Sequence, residues 1–205
     1  MVLKEKDQSF ITKEVKPWTE DPTFLAINPA GTTPVLIVND TNIVKGFYPI
    51  IEFLEEINLE GELIFGTAAE KAEIRFVISW FAEQFYREVT EYLLYEKIIR
   101  RLSNQGSPNS EAIRIAKKNL EYHLDYLNYL LVNNSYLVGD KMTLADLVAA
   151  AQLSVIDLIG DLVWDKTSKI KAWYALIKSR PSFQSILKDI IPGLIVPRHY
   201  SDPDF

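Results

Sequence analysis

The sequence predicts an α/β unit followed by an all-α unit. Before Gly66 the apolar residues fall in short runs and alternations separated by turn residues. Beyond Thr67 they recur every three or four positions over long spans, and clusters rich in Gly, Pro, Ser and Asn cut those spans into helix lengths. With 205 residues, 48% of them hydrophobic and 24% charged, the chain can bury one large core or two small ones.

The stretch "SFITKEV" (9–15) alternates apolar and polar residues as a half-buried strand does, and Pro17 stops it. "PVLIV" (34–38) is apolar but too short for a helix; the turn residues Asn39 and Asp40 follow, and "NIV" (42–44) returns as a hairpin partner. A helix is expected from about Ile50, after a junction made of Gly46, Phe47, Tyr48 and Pro49. That junction lacks the Ser, Thr, Asp or Asn whose side-chain oxygen usually caps a helix start. The α/β unit ends near Gly66, which gives a first domain of 1–66.

The helical domain is expected over 67–189. Thr67 and Glu70 stand at capping-box spacing and open a helix to about Leu102, with Ile74, Val77, Phe81, Phe85, Val89, Leu93 and Ile99 on one stripe. "SNQGSPNS" breaks it, and Ser107 with Pro108 is a suitable cap and first-turn pair for a second helix burying Ala116, Leu120, Leu124, Leu127 and Leu131. Thr143 caps a third, with Asp146 closing the box; their spacing assigns this hydroxyl and carboxylate to structure and not to catalysis. "LADLVAAA" then carries almost no charge, as a helix buried on most sides should. Two shorter helices follow, around Trp173 and after Pro181. The segment 190–205 contains three prolines and is expected to run extended as a tail.

Composition excludes several functions. A net charge of −6 argues against a general nucleic-acid or anionic-membrane binder, since phosphate recognition needs concentrated positive charge. With no cysteine there is no disulfide and no thiolate chemistry, and two distant histidines, His123 and His199, give no ligand-spaced metal site. No run has the length of a membrane span, and the N-terminus lacks a signal-peptide core, so the protein is expected to be cytoplasmic without membrane insertion.

The remaining candidates are surfaces. Lys97, Arg100 and Arg101 end one helix, and Arg114, Lys117 and Lys118 begin the next, antiparallel one. Lys97 with Arg101 and Arg114 with Lys118 are like charges at i, i+4, each pair costing roughly 0.2–0.5 kcal/mol. Six basic residues near one turn of an acidic protein form a candidate dock for an acidic partner, although positive charge at a helix C-terminus also offsets its dipole. Trp18 is a candidate interface anchor. His199, Tyr200, Asp202 and Phe205 are a second set, because the acidic end of the tail resists burial. His123, among Leu120, Leu124 and Leu127, is expected to be a structural histidine.

"NPAGTTPVL" (28–36), "GDKMTLADL" (139–147) and "WYALIKSRPSF" (173–183) resemble the glutathione transferases, a thioredoxin-like domain followed by an all-helical one. The resemblance implies a cis peptide bond before Pro34. It also implies that Gly46 and Phe47 stand where the family has a Glu-Ser pair gripping glutathione, so that Thr33, Pro34, Gly46 and Phe47 outline a degenerate glutathione site. The family's first strand and helix, which carry its catalytic Tyr, Ser or Cys, have no counterpart before "MVLKEKDQ"; the thioredoxin-like domain is expected to be truncated, with no catalytic residue and no cofactor. A narrower resemblance is to bacterial glutathione transferase-like proteins that bind the division protein FtsZ. It lies in "FAEQFYREVTEYLLYEKIIRR", "EYHLDYLNYLL", "LSVIDLIGDLVWD" and "PGLIVPRHYSDPDF". It implies a non-catalytic homodimer that binds FtsZ filaments and supports constriction. The alternative is a glutathione S-transferase acting on a small electrophile, with glutathione as cofactor.

Overall fold

The computed structural model describes residues 1–16, 20–57, 61–164, 168–189, 191, 194 and 196–202. The chain forms two compact units, Met1–Glu62 and Leu63–Phe205.

The first unit holds the short helix α1 (Val2–Glu5), α2 (Pro22–Ile27), strands β1 (Val35–Ile37) and β2 (Ile43–Lys45), and α3 (Phe47–Glu56). Asp21 caps α2 by accepting the Thr23 N–H at 2.8 Å. The strands form an antiparallel hairpin in which Leu36 faces Val44. The Asn39 side chain closes the turn by accepting N–H groups from Thr41 at 3.1 Å and Asn42 at 2.9 Å. A buried ammonium, Lys6, reaches Glu55 of α3 at 2.9 Å and the Gly61 carbonyl at 3.1 Å, tying the two ends of the unit together.

The strand expected over 9–15 is absent: the segment has no regular structure, with Phe10 exposed and Ile11 almost fully so. Alternation selects a sheet face, but a strand also needs a neighbour for its N–H and C=O groups. Among the described residues the sheet has two strands, β1 and β2, and this segment pairs with neither.

The second unit is helical. Its first helix, α4, runs unbroken over 68–102, with α geometry in Ala68–Ser79 and wider π turns in Trp80–Thr90 and Tyr95–Ile99. Its start is the expected capping box: Glu70 accepts the Thr67 N–H at 2.7 Å and its own N–H donates to the Thr67 hydroxyl at 3.3 Å. Val77, Phe81, Phe85, Val89 and Leu93 form its buried stripe.

Helix α5 (Ser110–Leu130) starts later than Ser107 and Pro108 suggest. Asn109 caps it, accepting N–H groups from Glu111 at 3.0 Å and Ala112 at 3.1 Å. The amide oxygen of Asn is as effective a cap as the Ser hydroxyl. In α6 (Leu144–Leu158) only Ala151, Gln152 and Val155 escape full burial, which matches its near absence of charge. Helices α7 (Ser168–Lys178) and α8 (Pro181–Gln184) complete the unit.

Beyond Pro197 the tail is not simply extended. Arg198–Ser201 make a 3₁₀ turn that buries the Tyr200 ring and sets its hydroxyl 2.9 Å from Ser154. An aromatic ring with a satisfied hydroxyl gains more from burial than from solvent, and this overrides the prolines.

Candidate functional site

Three places carry the residues singled out above. The first is the junction between β2 and α3. The Thr33–Pro34 peptide bond is cis, and the Pro34 carbonyl accepts the Gly46 N–H at 2.9 Å. Gly46 adopts φ 91°, ψ 156°, a conformation open to glycine and strained for any residue with a Cβ. Helix α3 starts at Phe47, three residues before Ile50, because Pro49 falls in the first turn, where a missing N–H costs nothing. No side chain caps it. The half-buried Phe47 and Tyr48 rings meet edge to face at 5.2 Å. Thr33 and Pro34 are exposed. The junction thus offers an aromatic pair where a carboxylate-binding site would need donors.

The second place is the turn between α4 and α5, and here the structure divides the six cations. Lys97 lies 2.7 Å from Asp161, and Lys117 reaches the other oxygen of the same carboxylate, also at 2.7 Å. Arg100 pairs with Glu96 at 2.8 Å, donates to the Gln105 carbonyl and lies over the Tyr95 ring. Arg114 pairs with Glu111 at 2.6 Å. Lys97 and Arg100 are therefore ion-paired within the chain, each with about a quarter of its side chain exposed. Arg101 and Lys118 are exposed and have no ion-pair partner among the described residues.

Glu96 organises this turn. It is nearly buried and accepts the Asn109 N–H at 2.7 Å, so it joins the end of α4 to the cap of α5. That bond, followed by Arg100, holds its carboxyl below the usual carboxylate range.

The third place is the tail. Its anchor is Asp157 of α6, fully buried, which accepts the Trp164 indole N–H at 2.9 Å and lies 2.8 Å from the His199 ring. Lys178, also buried, donates to the His199 carbonyl at 2.9 Å and stands 3.8 Å from Asp157. Burial lowers the Lys178 ammonium, with Asp157 opposing the shift. Tyr200 is thus part of the fold and not the exposed contact that the sequence suggests, and His199 is largely engaged by Asp157. Asp202 is exposed. Trp18 and Phe205 lie outside the described residues.

Thr143 and Asp146 sit in a fourth, structural cluster. The Asp146 carboxylate is wholly buried and accepts from the Thr143 N–H and hydroxyl, the Leu137 N–H and the Trp173 indole at 2.8 to 3.1 Å. Among the described residues no group of His, Asp and Glu could hold a metal ion, and no helix is long and apolar enough to cross a membrane.

Sequence reasoning found the basic residues but not the distant carboxylate that two of them share. Asp161 is 64 positions from Lys97, and no local spacing reports such a pair. Asp157 could have been suspected as an isolated carboxylate in a helix otherwise nearly free of charge.

Two family models match, the N-terminal domain of glutathione S-transferase over residues 1–57 and its C-terminal domain over residues 80–189. FtsZ-localized protein A of Caulobacter vibrioides is 39% identical over 208 aligned positions, covering 100% of this chain and 91% of that protein. A glutathione S-transferase from Rhodospirillum rubrum superposes with a TM-score of 0.95 at 41% identity, over 99% of this chain and 91% of that one. FzlA from C. crescentus does so with a TM-score of 0.94 at 39% identity, over 100% and 92%.

Proposed function

The chain belongs to the glutathione S-transferase family, and from that premise we propose that it is a non-catalytic member that binds FtsZ filaments and supports bacterial cell division, acting in the cytoplasm as a homodimer. The observation that carries this reading is the 39% identity, along the whole chain, to a protein localized to FtsZ. The β2–α3 junction supports it. A γ-glutamyl carboxylate needs a charged or hydroxyl partner and free helix-start donors; Gly46 offers no side chain, Phe47 a benzyl group and Pro49 no donor. The exposed cations Arg101 and Lys118 supply a dock for an acidic surface, with Asp202 and the residues beyond it as a second contact.

The test is co-sedimentation with GTP-assembled FtsZ, with and without glutathione. Saturable pelleting that glutathione leaves unchanged, and that the double variant Arg101→Glu, Lys118→Glu reduces, is the expected result. Absence of pelleting by folded protein would defeat it. A second reading, a glutathione S-transferase acting on a small electrophile, is favoured by the Rhodospirillum rubrum transferase at 41% identity. Retention on glutathione resin would support that reading, and flow-through would count against it.

A further inference from the structure

The inner face of α5 carries a titratable group that the proposed function does not use. His123 has no exposed surface, and both of its ring nitrogens are engaged with α4. The Trp80 indole N–H donates to Nδ1 at 3.1 Å, and Nε2 lies 3.0 Å from Glu88. An indole nitrogen is only ever a donor, so Nδ1 must be bare and the proton must sit on Nε2, where it is donated to Glu88. The bond network therefore specifies neutral imidazole in one tautomer.

Trp80 is also the inner member of an aromatic surface. Its ring lies 4.6 Å from Tyr126, 6.4 Å from Phe76 and 6.5 Å from Tyr122, and Tyr126 stacks on Tyr129. Phe76, Tyr122 and Tyr129 are 51%, 60% and 72% exposed, so the ring that His123 holds underlies a face open to solvent.

We propose that His123 is a proton-operated latch for this aromatic face: neutral, it holds the Trp80 indole, and protonated at Nδ1 it releases it. The reason is geometric. An imidazolium carries N–H on both nitrogens, so Nδ1–H would point at the indole N–H, donor against donor, across 3.1 Å, too short for a water to sit between them. The indole must then turn away, and the rings packed on it follow. Nε2–H keeps its bond to Glu88, which becomes an ion pair, so release is confined to the Trp80 side.

The surroundings set where the latch operates. Glu88 is the charged group facing the ring from α4, partly exposed and steadied by the Gln84 amide at 3.2 Å. Tyr122 on its own helix and Phe85 on α4 stand edge to face with it at 5.7 and 5.1 Å, and Glu88 is the charge that acts on its ionisation. Burial lowers the His123 pKa, and Glu88 opposes the shift without reversing it. Release therefore belongs below the ordinary histidine value of about 6.5.

The full chain, labelled with nitrogen-15, tests this. The Trp80 indole N–H resonance, identified by its loss in Trp80→Phe, is followed from pH 7.5 to 5 together with the His123 ring protons. A sigmoidal displacement of the indole signal with the same midpoint as His123 is expected. In Glu88→Gln, a change at a partly exposed position, the midpoint of both should move to lower pH. In His123→Asn the indole displacement should vanish. An indole signal that stays put while His123 titrates would overturn the proposal. So would a His123 that stays neutral until the protein unfolds, or a shift that persists unchanged in His123→Asn.

Discussion

Asp146→Ala should be among the most damaging substitutions in the helical unit, and clearly worse than Thr143→Ala. The buried Asp146 carboxylate receives four donors, the Leu137 N–H at 2.9 Å, the Thr143 N–H at 2.8 Å, the Thr143 hydroxyl at 3.1 Å and the Trp173 indole at 2.9 Å. Leu137, Thr143 and Trp173 are 1%, 0% and 4% exposed, so their donors have little access to water. A buried donor left unpaired costs about 1–3 kcal/mol, and the variant strands three that cannot swing elsewhere. The Thr143 hydroxyl can rotate. Burial pushes the Asp146 carboxyl up, which shows that burying the charge has its own cost. Removing the carboxylate recovers that cost and brings the expected loss to the low end of the sum, about 3–5 kcal/mol. Thr143→Ala leaves the carboxylate three of its donors and should cost about 1 kcal/mol. The assay is urea unfolding followed by circular dichroism, comparing midpoints at constant slope. If Thr143→Ala proves as costly as Asp146→Ala, the carboxylate is not the hub and the argument fails.

The acid limb of the stability curve should depend on Glu96. Its carboxyl is held low in the folded protein by the Asn109 N–H and then by Arg100, so its contribution is present above the unfolded-state pKa of about 4.3 and is lost as pH falls through the folded value. Glu96→Gln should therefore lose less stability on acidification than the parent; identical acid limbs would rule this out. At the junction, Gly46→Glu should not simply restore a ligand-binding carboxylate. With φ 91° and ψ 156° any side chain there costs on the order of 1–3 kcal/mol, and faster hydrogen exchange in α3 and the β1–β2 hairpin is the expected sign. Unchanged protection would mean that the backbone relaxes without strain.

What could be read from the sequence follows the range of the forces involved. Thr67 with Glu70 and Asn39 with Thr41 and Asn42 act over three residues or fewer, and their cap and turn stand where local chemistry places them. The nearly uncharged α6 was legible for the same reason, since burial on most sides leaves no position for a solvated side chain. The strand over 9–15 was not, because pairing depends on what lies beside it and alternation describes a single chain. The basic turn makes the same point electrostatically. Six cations in two short stretches suggest one field, yet Asp161, from outside both stretches, pairs with Lys97 and Lys117, while Glu96 and Glu111, at the local spacings i, i+4 and i, i+3, pair with Arg100 and Arg114. Gly160, with φ 74°, lies just past the end of α6, and Asp161 follows it, 2.7 Å from both Lys97 and Lys117. The exposed remainder, Arg101 and Lys118, is a smaller and more specific feature than composition implied. That specificity makes it testable: if docking depended on diffuse positive charge, replacing Lys97 or Arg114 would weaken it as much as replacing Arg101. If it depends on Arg101 and Lys118 themselves, only those two should matter.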